Sequence, residues 1–290
     1  MGLGNSLLVG FRTLYFQIMK KSFRDLSLVV LSTAFLCLAA VSSFGQGGDR
    51  MTSRQREIER QRQRLSSDSI EERRDALMRL GSLKRADASR AAVSALNDLS
   101  PVVRVTAAHA ILSLPPSEAV TLLTPLLQDK LEFVRQEAAY ALGETRSRAA
   151  VEALANLLLS DKDSGVRGAA AVALGQIGDE SAVPALTQAL GGWPQIQKKK
   201  KSKAETNEFV LRAAVRSLGQ IRSRTAVAVL IAALQNETYP SDIRREAAIA
   251  LGVIGDSAAV PALRAAFSSD DPYLSEAARD ALRRLRVSRN

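Results

Sequence analysis

Between residues 67 and 287 the apolar positions fall into columns. An alanine returns at Ala76, Ala107, Ala138, Ala170, Ala214, Ala247 and Ala278, at intervals of 31, 31, 32, 44, 33 and 31 residues. Four residues after each stands Leu80, Ile111, Leu142, Leu174, Leu218, Leu251 or Leu282. Apolar residues at i and i+4 share one helix face, so each unit opens with a helix whose buried stripe runs through the alanine. A second set of columns begins at Ala92-Val93, Ala119-Val120, Ala150-Val151, Ala182-Val183, Ala226-Val227 and Ala259-Val260. Three residues beyond each valine comes Leu96, Leu123, Leu154, Leu186, Leu230 or Leu263; four further on come Leu127, Leu158, Leu190, Leu234 and Phe267 in all but the first unit. This spacing predicts a second helix that starts at the Ala-Val pair and buries the leucine stripe.

Glycine follows the leucine column at Gly81, Gly143, Gly175, Gly219 and Gly252, with Leu112 and Arg283 as departures. A glycine enters the left-handed conformation without a Cβ penalty, so this column predicts the end of the first helix. Two short helices cannot bury their apolar faces alone; neighbours must stack and share one core. The expected fold is all-α: an α-solenoid, a superhelical stack of about seven antiparallel helix pairs.

The phrases LGQIGDESAVPAL (Leu174 to Leu186) and LGVIGDSAAVPAL (Leu251 to Leu263), with a Val-Arg pair opening the first helix, resemble HEAT repeats of the short type first noted in phycobilisome bilin lyases. The resemblance implies a solenoid whose second helices line a concave side. It occurs in lyases, scaffolds and enzyme accessory subunits, so it speaks to fold more sharply than to function. It also implies a structural inter-repeat ladder from Arg73, Arg104, Arg135, Arg167 and Arg244, each meeting an aspartate or a backbone carbonyl. Leu211 and Ser275 interrupt that column, and Asp129, Asp161, Asp163 and Asp242 are the acids at hand. The competing reading of the same arginines is an anion-binding stripe.

Residues 1–45 read as an N-terminal extension followed, from Met19, by a secretory signal: Lys20, Lys21 and Arg24, an apolar run from Leu26 to about Val41, then small residues. Cleavage after Ser43 or Gly45 fits. Leu36 stands where a lipoprotein signal at Cys37 needs a small residue. Left uncleaved, the run is a membrane anchor near the lower length limit for a span, and the flanking cations still place the remainder outside the cytoplasm. The expected location is periplasmic or secreted. Residues 46–66 are Arg-rich and lack an apolar stripe, which predicts a polar linker or a frayed, exposed helix. The solenoid is expected over 67–290, with Glu72 and a longer loop marking unit one as a polar cap.

Between units four and five the extra text GGWPQIQKKKKSKAETNE makes a basic insertion at about 191–207. Loops of this length in a compact array are functional or disordered. Lys198, Lys199, Lys200, Lys201 and Lys203 are candidate partner contacts. Trp193 is another; its structural alternative is to plug a gap where the insertion leaves the stack.

Composition narrows the chemistry. Aromatic residues are 4% of the chain against 46% hydrophobic, so alanine and leucine do the packing. The formal charge is +10, which suits an anionic partner. The single cysteine, Cys37, lies outside the repeats, which excludes thiol catalysis and cysteine-ligated zinc in the folded part. His109 is the only histidine and reads as packing, since one histidine makes no metal site. Hydroxylases built on a similar solenoid hold iron with His-Glu pairs that a single histidine cannot supply. No nucleophile and no acid-base pair stands out, so no catalytic, cofactor or metal residue is expected.

The resulting expectation is a non-enzymatic protein-protein interaction scaffold of the cell envelope. It binds a protein or peptide on the concave face, where VTLLTPLLQ, VEALANLLL and VLIAALQ carry one charge or none. The alternative is a binder of nucleic acid or another polyanion through linker, insertion and C-terminus; a bilin lyase-like activity is the second alternative.

Overall fold

The structure, a computed structural model, describes residues 51–191 and 201–287, with backbone only for 201–207 and 286–287. The expected signal segment, residues 46–50, Trp193, Lys198, Lys199 and Lys200 lie outside the described residues. Lys201 and Lys203 lie on described backbone. The chain divides into residues 1–56 and 57–290, and the repeats belong to the second unit.

Helix α1, Ser53–Arg64, is followed by seven first helices: α2 (Ile70–Ser82), α4 (Pro101–Ala110), α6 (Glu132–Glu144), α8 (Ser164–Ile177), α10 (Lys201–Ile221), α12 (Ser241–Ile254) and α14 (Pro272–Val287). Six second helices alternate with them: α3 (Ala86–Ala92), α5 (Pro116–Leu123), α7 (Val151–Ser160), α9 (Val183–Gly191), α11 (Val227–Gln235) and α13 (Val260–Phe267). The described residues thus form an all-α solenoid of stacked helix pairs. All seven column alanines have zero exposure, as do Leu80, Ile111, Leu142, Leu174, Leu218 and Leu251. Leu282 is half-buried.

Four second helices start at the Ala-Val pair, each introduced by a short 3-10 turn; ahead of α9, α11 and α13, Asp179, Ser223 and Asp256 cap that turn by accepting a hydrogen bond from the backbone two residues on. Units one and two depart from expectation. Their second helices begin earlier, at Ala86 and Pro116, and finish in 3-10 turns at Val93–Asn97 and Thr124–Gln128. Phe267 also departs: it is 48% exposed, where Leu127, Leu158, Leu190 and Leu234 are 0–2% exposed.

The glycine column does not end the first helices. Helix α8 runs past Gly175 to Ile177, and the left-handed residue is Gly178, φ 74°. The same position, three after the column glycine, is left-handed at Lys84, Arg146, Arg222 and Gly255, with φ of 49°, 50°, 58° and 78°. The column glycines serve close approach instead. A Cβ on Gly143 would lie 2.8 Å from the Ala173 Cα, one on Gly219 3.0 Å from the Ala250 Cα and one on Gly252 2.7 Å from the Ala281 Cα. Each glycine therefore lets the next first helix sit directly against its backbone.

The Arg-rich segment ahead of the repeats is also more structured than expected. From Glu57 onward it belongs to the repeat unit. Ile58 and Leu65 pack on its core, Gln61 is 3% exposed, and Arg64 reaches Asp75 of α2 at 2.6 Å. A helix written almost wholly in polar residues is held by a few buried contacts to its neighbour.

Helix α10 begins thirteen residues before its column alanine, where α8 and α12 begin six before theirs. The insertion therefore ends in two extra helical turns. Repeats four and five nevertheless stack in register: Ser217 donates to the Ala171 carbonyl at 2.7 Å, and buried Tyr239 donates to the Leu190 carbonyl at 2.9 Å.

Candidate partner-binding face and arginine ladder

The first helices start at one edge of the array, beside the turns that end the preceding second helices. There, in the first four repeats, the arginine one turn before the column alanine reaches back to that turn. Arg73 donates to both carboxylate oxygens of Asp98, at 2.8 and 3.0 Å, and to the carbonyls of Ser67 and Asp68. Arg104 holds Asp129 the same way, at 2.8 and 3.0 Å, and donates to the carbonyls of Asp98 and Leu99. Arg135 holds Asp161 at 2.7 and 3.0 Å and donates to the Asp129 and Lys130 carbonyls. Arg167 donates to the Asp161 and Lys162 carbonyls.

Each aspartate thus receives one repeat's arginine on its carboxylate and the next repeat's arginine on its backbone. The same carboxylates cap the turn, accepting from the amides of Ser100, Leu131 and Asp163. The pairs are well buried, Arg135 and Asp161 at 8% and 7% side-chain exposure. Like-charged arginines are therefore interleaved with acids, as close stacking demands. Burial alone raises the pKa of each carboxyl. The bidentate arginine, the turn amide and the surrounding positive charge outweigh it, so Asp98, Asp129 and Asp161 all titrate below the ordinary carboxylate range. Burial pushes the Arg167 guanidinium down, against Asp161 and Asp163.

Beyond Arg167 the pattern changes. Arg244 donates to the Leu234 carbonyl. Two of the four expected acids do other work: Asp163 caps α8 through the Val166 amide, and Asp242 pairs with Arg212, outside the column. Asp98 was not among those four acids, although it stands six residues before Arg104 as Asp129 does before Arg135 and Asp161 before Arg167. That offset was the available signal. Tyr239, which ties the base of the insertion, carries none: its partner is a carbonyl 49 residues away.

The second helices present a different surface. Their outward positions are Thr121, Pro125 and Gln128 on α5 and its 3-10 extension, Asn156 and Leu159 on α7, Pro184 and Gln188 on α9, and Ala228, Ala232 and Gln235 on α11. Within these four second helices Glu152 is exposed and Glu118, paired with Arg90, is partly so. Grooves separate successive members: about 680 Å³ between α5 and α7, floored by Leu127 and Leu157, and about 540 Å³ between α7 and α9, floored by Val151 and Ala185.

His109 is not core packing. It is half-buried at the surface, its Nε2 3.2 Å from Glu137 Oε2. Among the described residues no three of His, Cys, Asp and Glu converge on a metal-sized site, and no helix is long and apolar enough to cross a membrane.

Stacked helix pairs with a shared alanine-leucine core and a polar ladder along one edge define a helical-repeat solenoid. The HEAT-repeat family profile matches residues 58–142, 126–196 and 202–283; the chain belongs to the HEAT-repeat family. No curated protein matches it by sequence. Similar solved structures include human deoxyhypusine hydroxylase in complex with glycerol, 22% identical over 80% of this chain and 96% of that one, TM-score 0.39. The complex of CpcE and CpcF of phycocyanin lyase from Nostoc is 24% identical over 84% and 90%, TM-score 0.44. An engineered protein is 22% identical over 79% and 68%, TM-score 0.44. At these identities the likeness is one of fold alone.

Proposed function

We propose that the protein is a non-enzymatic scaffold of the cell envelope that holds an extended protein or peptide segment across the second helices of repeats two to five. The observation that carries the reading is the surface just described. Four successive second helices expose mostly uncharged side chains, with Glu152 as an exception, and two grooves between them have apolar floors. The first groove ends against Asp129, Arg135, Asp161 and Lys162 and the second is flanked by Arg148 and Glu152, so a partner can set apolar side chains on the central floors while its polar groups meet those charges at the rim. The basic insertion, with Trp193 and Lys198 to Lys203, is a second contact for the same partner. Export rests on the signal pattern at Met19 to Gly45.

Two measurements test this. A photo-crosslinker placed at Asn156 or Gln188 should capture one defined partner in cells, with Ala232→Arg suppressing capture, while a crosslinker at Glu144 on a first helix should not. Equal capture from both faces would remove the reading. Fractionation of cells with intact-mass measurement should find the protein outside the cytoplasm, starting near Gln46; a full-length cytoplasmic product would overturn export and leave the binding face to be judged by the crosslinks.

A further inference from the structure

The edge opposite the ladder, where each first helix turns into its second, carries two exposed basic residues in alternate repeats, with Asp87 and Glu144 as the acids beside the first and second of these turns. Repeat one places Lys84 and Arg85 there, repeat three Arg146 and Arg148, and repeat five Arg222 and Arg224. All six are exposed; the Arg148 and Arg224 side chains are each 87% exposed. Lys84, Arg146 and Arg222 make no side-chain hydrogen bond or ion pair among the described residues. Arg85 pairs with Asp87 at 3.2 Å, and Arg148 and Arg224 stand 3.8 and 3.9 Å from Asp179 and Asp256 of the following repeat.

The backbone makes these residues harder to dismiss. Lys84, Arg146 and Arg222 occupy the left-handed conformation at φ 49°, 50° and 58°, which a residue with a Cβ adopts only under strain. Repeats four and six use Gly178 and Gly255 at the same place, each followed by an aspartate. Cations near a helix C-terminus do favour the helix dipole. Yet α8 and α12 end in the same way without one, so the repeat itself does not require a basic residue there. Three of the five left-handed ends keep a long cation where glycine would be easier.

We infer that Lys84, Arg85, Arg146, Arg148, Arg222 and Arg224 form a linear binding edge for a phosphate-bearing polymer. Stacked helices lie 8–10 Å apart, so successive basic pairs, two repeats apart, are separated by roughly 20 Å. A row one turn wide fits a chain of charges. None of the exposed large hydrophobic side chains lies in these three turns, so nothing there enters a bilayer or stacks on a base. A flat anionic membrane would also meet Asp179, Glu180 and Asp256 on the intervening turns, whereas a polymer can touch the cationic points alone. The inference is independent of the second-helix face, and it uses none of the lysines of the insertion.

The test exploits the strain. In the triple variant Lys84→Gly, Arg146→Gly, Arg222→Gly, each glycine relaxes a left-handed residue, so the melting temperature should hold or rise while three charges disappear. Binding of the whole protein to a labelled duplex DNA of about 20 base pairs is measured by anisotropy between 50 and 200 mM salt, with inorganic polyphosphate as competitor. The variant should bind about tenfold or more weakly at the low salt, and the slope of log affinity on log salt should flatten by about two to three. Arg148→Gln with Arg224→Gln should weaken binding as well, by about two in slope. Whether duplex or polyphosphate competes better identifies the source of the phosphates; either supports the edge. Unchanged affinity in both variants, no binding at low salt, loss only when Lys198 to Lys203 become glutamine, or binding to phosphatidylglycerol vesicles but to neither polymer would overturn it.

Discussion

Alanine at Gly143 should unseat repeats three and four, at a net cost of about 2 kcal/mol, from overpacking at the upper end of its usual range less the helix propensity that alanine gains over glycine. The new methyl would lie 2.8 Å from the Ala173 Cα and 2.9 Å from its Cβ, and backbone cannot swing aside as a flexible side chain can. The two first helices must separate by several tenths of an ångström along their shared face, and close-packed interiors do not absorb that without loss. In a chain of this size the expected fall in melting temperature is roughly 4–8 °C. Gly81→Ala is the control. Its methyl would stand 3.2 Å from the Ala110 Cα, so the propensity gain should nearly cancel the crowding. If the column glycines acted as left-handed caps, the two substitutions would cost alike. A urea titration of both variants separates the explanations: equal midpoints would sink the close-approach account.

The same glycines show what could be read from the sequence and what could not. Period alone located every first helix, because an i, i+4 alanine-leucine pair has only one face to bury. It also located the second helices, with early starts where Pro116 and Ala86 supplied a helical first turn ahead of the Ala-Val pair. The periodicity could not tell a glycine that turns the chain from one that admits a neighbour. Both need the missing Cβ, and only Ala173 or Ala281 in space decides between them. The left-handed position escaped notice for the converse reason, since Lys84, Arg146 and Arg222 hide it behind side chains that read as solvent-facing charge. Phe267 follows the leucine column in spacing yet remains half exposed, because burial depends on what lies beyond the stripe and not on the stripe. Asp98 could have been found, since its offset from Arg104 repeats in the next two units. The low charge of the second-helix face was visible in the text, whereas the split between shared core and outward surface required coordinates. Trp193 and the lysine run gain nothing from the structure, and their role rests on sequence.

Asp129→Ala is expected to cost about 3–5 kcal/mol, the range for removing one partner of a buried ion pair. Arg104 would keep a guanidinium at 9% side-chain exposure with its two carboxylate bonds gone, and the Leu131 amide would lose its acceptor. Arg279→Ala, which breaks an exposed i, i+3 pair with Glu276, should cost between 0 and about 1 kcal/mol. The contrast distinguishes a structural ladder from a stripe of arginines held ready for anions: on the second reading Asp129→Ala would free a cation and leave the fold intact. Acid supplies the independent check. Asp98, Asp129 and Asp161 have native pKa values below the 3.8 of an unperturbed aspartate. A depressed carboxyl stabilises the fold fully above its unfolded pKa, and that stabilisation is lost as pH falls through the folded value. Stability should therefore be flat in these groups at neutral pH and fall below about pH 4. In Asp129→Asn, where position 129 no longer titrates, the overall stability is lower and the acid slope shallower. An Asp129→Asn protein with the wild-type acid slope would show that proton uptake on unfolding lies elsewhere, and that the arginine column is not what the carboxylates hold in place.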